Sequence, residues 1–119
     1  MSVETITGEE YSVEYNNNTQ TVTLIGSMRL RTAEEYEPIN QLLYQAHDAT
    51  EEGETLILDF SELKFLNSSG INIVSRFVIA ARKQARISLE VKGSQEIYWQ
   101  KKSLTNLQRL WPKVKIDIQ

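Results

Sequence analysis

Leu56-Ile-Leu-Asp-Phe-Ser-Glu-Leu-Lys-Phe-Leu-Asn-Ser-Ser-Gly-Ile71 reads as a strand, a short connection and the first turn of a helix. The stretch Thr55 to Phe60 is apolar apart from Asp59, as expected of a central strand covered on both faces. Beyond a connection through Ser61 to Asn67, Ile71, Val74, Phe77, Val78 and Ala81 recur at helical spacing. This predicts a helix over 69–84 that begins at the serine pair.

Upstream, Tyr11 to Tyr15 and Thr21 to Ile25 alternate as strands do, and Asn16-Asn17-Asn18 between them tolerates turn geometry, so the pair reads as an opening hairpin. Thr32 followed by Glu35 has capping-box spacing, and Tyr36, Ile39, Leu42, Leu43 and Ala46 then fall on one face of a helix running to about Ala49. Pro38 lacks the amide hydrogen that would bond back to Glu34, which predicts a kink or restart there. His47, the only histidine, has polar neighbours and reads as a solvated residue.

Downstream, Arg86 to Lys92 and Val114 to Ile118 alternate as half-buried strands. Between them Ser94, Ile97, Leu104, Leu107 and Trp111 read as a third helix stopped by Pro112. Trp99 falls off its main apolar face, as an exposed anchor or as a cap on the sheet edge. The predicted order is β-β-α-β-α-β-α-β, an α/β domain with helices packed on a mixed sheet. It occupies 1–119 as one unit with its core over about 10–118.

A helix start exposes unpaired N–H groups and about half a positive charge, so Asn67-Ser68-Ser69-Gly70 stands where an anion is favoured. A phosphoserine is such an anion, with roughly −1.5 to −2 charges and three acceptor oxygens. Helix capping by Ser68 or Ser69, at ~1 kcal/mol, accounts for the same residues.

Leu58-Asp59-Phe60-Ser61, Phe65 and Ser68-Ser69-Gly70-Ile71, with Gly26 and Thr32-Ala33-Glu34 upstream, resemble the signature of STAS domains of the anti-sigma-factor antagonist type in order and spacing. The resemblance spans about residues 10 to 118 and implies a STAS-like fold. It implies a role in partner switching, a signal-transduction route to transcription regulation by protein–protein interaction. By position, Ser68 is the phosphorylated residue, with Ser69 as the alternative. The partners it implies are an anti-sigma factor that is also a serine kinase, binding the unmodified form, and a metal-dependent serine phosphatase that resets the switch. Asn67, Ser69, Gly70, Ile73 and Arg76 are the implied partner-binding residues, Ile73 and Arg76 on the exposed side of the second helix.

Two positions depart from the family pattern. Asn67 stands where the family has Asp, and Arg29, in Ser27-Met-Arg-Leu-Arg31, stands where the turn after the second strand carries Asp. Arg29 and Arg31 are therefore candidates to pair with phosphate on Ser68, because a guanidinium matches phosphate oxygens bidentately.

Composition removes several other functions. There is no cysteine and one histidine, so a serine triad, a thiolate nucleophile or a multi-histidine metal site within the chain is excluded. No Gly-rich phosphate loop or paired carboxylates stand out, and neither enzymatic activity, a cofactor nor a metal is expected. No apolar run approaches the roughly 20 residues of a membrane span. With three glutamates and no Lys or Arg in residues 1–10, a cytoplasmic protein is expected.

The net charge of −3 divides unevenly. Residues 1–63 hold 13 acidic and 2 basic side chains, −11, and residues 64–119 hold 11 basic and 3 acidic, +8. Interleaving of the halves in one sheet balances these charges. The alternatives are a basic partner-binding face or nucleic-acid binding through Arg82, Lys83, Arg86, Lys101, Lys102, Arg109, Lys113 and Lys115, against which stands a pI near 5.2. A monomer or weak dimer fits either distribution. A non-phosphorylated scaffold of the same fold remains the other reading of the serine turn.

Overall fold

The computed structural model describes residues 3–119. Six strands form one sheet in sequential order: β1 (Val3–Thr7), β2 (Tyr11–Asn16), β3 (Thr21–Met28), β4 (Thr55–Leu66), β5 (Ser88–Gly93) and β6 (Lys115–Ile118). The first three are antiparallel; β3 to β6 are parallel. Each parallel step is a crossover: α1 (Ala33–Ala49) after β3, α2 (Ser68–Gln84) after β4, and the short α3 (Gln100–Thr105) and α4 (Leu107–Leu110) after β5. The expected α/β domain with a mixed sheet is present, with one more strand at its start.

Strand order that advances steadily from β3 to β6 by crossovers of one hand puts every helix on the same face. That face holds Val13, Val22, Leu24, Leu56, Leu58, Phe60, Leu89 and Val91, all buried. The other face carries Glu14, Thr23, Asp59, Lys92 and Asp117 in one cross-strand row, half-buried, with opposite charges alternating over β4, β5 and β6. The expectation that β4 is covered on both faces is therefore overturned: Thr55, Ile57 and Asp59 lie on the uncovered side.

β4 also runs through the segment expected to be a connection. Thr23 pairs with Asp59 but Ile25 with Glu62, and Gly26 with Leu63 but Ser27 with Phe65, so β4 carries two bulges. They break the alternation that marks a strand, which is why the sequence pattern ends at Phe60. Gln100, fully buried, donates from Nε2 to the carbonyls of Phe60 and Leu63, and Trp99 Nε1 donates to Leu63 O at 3.1 Å. Trp99 also meets Phe60 edge-to-face at 6.4 Å, so it covers the sheet and is not an exposed anchor.

α1 is uninterrupted through Pro38, which sits in its second turn on the exposed side and removes one hydrogen bond where water can replace it. The predicted third helix is instead a turn, followed by α3, whose start is tied to the bulged strand through Trp99 and Gln100, and by α4 beyond Asn106. His47 is buried, not solvated: its ring stands edge-on to Phe77 at 6.1 Å, and its Nε2 has no hydrogen-bond partner among the described residues. It lies four residues after Leu43 on the buried face of α1, a periodicity that its polar neighbours masked.

Candidate functional site

β3 and β4 end side by side, with Met28 opposite Leu66 and the Asn67 amide donating to Met28 O at 3.3 Å. Chain therefore leaves both strands at one edge: the turn Arg29–Arg31 into α1, and Asn67 into α2. On the other side of β3, Gly26 at φ +96 lets Glu10 and the start of β2 close on the strand, since a Cβ there would lie 2.2 Å from Glu10 O.

Asn67 is the N-cap of α2, its Oδ1 accepting from Gly70 N at 3.0 Å. The same oxygen accepts from the Tyr36 hydroxyl at 2.6 Å, and Asn67 Nδ2 donates to Leu30 O at 2.8 Å. One amide thus joins α1, the β3–α1 turn and α2. An aspartate at this position could not supply the donor to Leu30 O. Capping by Ser68 or Ser69 is overturned, because Asn67 holds that position.

Ser68, the first helical residue, is exposed; Ser69 is half-buried and Gly70 buried. A Cβ on Gly70 would come within 2.2 Å of Leu66 Cδ1 and 2.7 Å of the Tyr36 hydroxyl, so the glycine lets α2 sit down on β4 and α1. Burial, first of all, pushes the Tyr36 hydroxyl's pKa up, which keeps it a neutral donor to Asn67.

The fold of the chain is similar to that of SiaC of Pseudomonas aeruginosa. One SiaC structure superimposes with a TM-score of 0.71 at 16% identity, covering 100% of this chain and 98% of that one. The apo-SiaC crystal structure gives 0.72 at 14% identity, covering 100% and 99%. A third structure, of the diguanylate cyclase SiaD in complex with its activator SiaC from the same organism, gives 0.71 at 14% identity over 98% and 99%. No protein-family model matches the chain, and no curated protein matches it in sequence. At these identities the likeness to SiaC is one of fold.

The remaining predicted site residues divide. Arg76 is exposed on α2, but Ile73 is 8% exposed and packs in the core, so its reading as an exposed partner contact is corrected: it points toward the sheet with Val74 and Phe77. Arg29 is exposed and already engaged, its Nη1 2.9 Å from Glu10 Oε2 and its guanidinium 4.9 Å from the centre of the Phe65 ring. Arg31 is exposed in the same turn. Of the basic residues considered for nucleic acid, Arg86 is spent on the end of α1, donating to Thr50 O and His47 O, and Arg82 donates to Leu110 O.

The exposure of two aromatic residues escaped the sequence reading. Phe65 is 40% exposed beside Arg29, turned outward by the second bulge, and Tyr98 is fully exposed ahead of α3. Only the bulges reveal the first. Among the described residues no three of His, Cys, Asp and Glu converge as metal ligands, and no helix is long and apolar enough to cross a membrane.

Proposed function

We propose that this chain is a regulatory interaction module whose partner binding is switched by phosphorylation of Ser68. The observation that carries the reading is the division of labour at the α2 start: Asn67 does the capping, and the Ser68 hydroxyl is exposed beside it. A phosphate there meets the positive end of a seventeen-residue helix without dismantling the cap. The unmodified domain binds its partner, and the added dianion weakens that complex. Arg29 or Arg31 pairs with the phosphate, Arg29 by exchanging Glu10 for it.

The STAS resemblance supports a serine kinase of the anti-sigma-factor type as the modifying partner and a metal-dependent phosphatase as its opponent. The SiaC likeness favours a different output, because SiaC occurs in complex with a diguanylate cyclase as its activator. On that ground the regulated partner is an enzyme of signalling rather than a sigma-factor route. In either case the catalysis belongs to the partner.

An affinity pull-down with wild type, Ser68→Ala and Ser68→Asp tests the switch. One partner should be held by the first two and lost from the third, and mass spectrometry after kinase and ATP treatment should find phosphate on Ser68. Retention of that partner by Ser68→Asp, or phosphate only on other residues, rejects the reading.

A further inference from the structure

α2 and α4 lie against one another and leave an open groove of about 320 Å³, lined by Ile71, Ser75, Asn106, Leu107, Arg109 and Leu110. Its floor is apolar, with Leu107 buried and Ile71 and Leu110 half-buried, and exposed Arg109 stands at the rim. Ser68, Ile71 and Ser75 are spaced i, i+3 and i+7, so the serine stands on the same helix face as the groove, at its mouth. Arg82, further along α2, donates to Leu110 O at 2.7 Å and ties α2 to the end of α4.

The helices on this side of the layer carry charge of one sign. α2, α3 and α4 carry Arg76, Arg82, Lys83, Lys101, Lys102 and Arg109 and no Asp or Glu. α1 is the reverse, with Glu34, Glu35, Glu37 and Asp48 and no Lys or Arg. The sheet interleaves the charges of the two halves of the chain, but the helix layer separates them.

Resting on the reading of Ser68, we infer that the partner lays an acidic amphipathic helix into the α2–α4 groove. An apolar floor between two helices takes the apolar stripe of a third, and a rim without acid selects glutamate and aspartate on its flanks. The same arrangement supplies the sign of the switch. A phosphate on Ser68 places about two like charges at the mouth and offsets the cations that attract the occupant.

The probe is a synthetic helical peptide with leucine along one stripe and glutamate elsewhere, titrated into the full-length isotope-labelled chain at low salt and followed by amide NMR shifts. Shifts should centre on Ile71, Ser75, Asn106 and Arg109. Affinity should fall about tenfold or more in Arg109→Glu, whose exposed site leaves the fold intact, and should fall again as salt is raised. Equal binding of a leucine–lysine peptide, or shifts centred elsewhere, overturns the inference. So does a dimer in sedimentation that Arg109→Glu abolishes, since the occupant would then be the acidic α1 of a second copy. No binding to wild type overturns the groove and leaves the pull-down to decide the switch. Equal peptide affinity of Ser68→Asp leaves the groove standing and removes the switch.

Discussion

Asn67 makes three side-chain hydrogen bonds to three different parts of the chain, and its chemistry decides what can replace it. In Asn67→Asp the oxygen contacts survive and the helix start favours the new charge by about 0.3–1 kcal/mol. The donor to Leu30 O is lost, however, and a carboxylate oxygen faces a carbonyl, at a cost of about 1–3 kcal/mol. The expected net result in urea denaturation is a loss of ~1 kcal/mol in a domain that still folds. A variant as stable as wild type shows that the Leu30 contact does not select asparagine. The sequence pointed to Ser68 or Ser69 as the cap of α2. That Asn67 holds the position was not legible, because its side chain is fixed by Tyr36 and Leu30, more than thirty residues away in the chain.

At the scale of elements, the bulged end of β4 holds the site in place, since it sets where Asn67 leaves the sheet. Two extra residues leave carbonyls that the β3 ladder does not satisfy, and Gln100 supplies the donors while its Oε1 accepts from Ser94 N at 2.7 Å. Gln100→Ala should therefore destabilise by on the order of 3 kcal/mol, well above the usual effect of a polar-to-alanine change. Gln100→Glu should do no better at neutral pH, because a carboxylate cannot donate to Phe60 O or Leu63 O. Thermal melts of both variants check this, and a loss below about 1 kcal/mol in each shows that water replaces the amide. β1 escaped the sequence reading for a related reason. Its side chains are mostly exposed, so it is held by backbone pairing to β2, which leaves no periodic signature.

Taken as a whole molecule, the protein has a sheet with one covered face and a helix layer with opposite charge at α1 and at α2–α4. Two tyrosines tie its stability to alkaline pH. Burial, the larger cause in each, raises the pKa of Tyr15 and Tyr36 above the ordinary 10.0. A raised folded value means that their contribution is complete below about pH 10 and is lost as pH climbs through the folded values. Wild type should lose urea resistance above pH 10 more steeply than Tyr36→Phe. At neutral pH Tyr36→Phe should itself be weaker by ~1 kcal/mol, for the bond to Asn67. Parallel curves for the two proteins remove Tyr36 as a source of the pH dependence.

The amino-acid order by itself determined the element types with regular periods: the β2–β3 hairpin, α1 with its Thr32 cap, α2, and the serine turn at its start. Periodicity is a local property, and each of these buries one face against the core. Only the tertiary structure decided that the helices share one face, that β4 bulges past Phe60, that Ile73 turns inward while Phe65 turns outward, and that Asn67 frees Ser68 from capping. Those outcomes depend on crossover hand, register and hydrogen bonds between residues far apart in the chain, none of which leaves a mark in a window of neighbouring side chains.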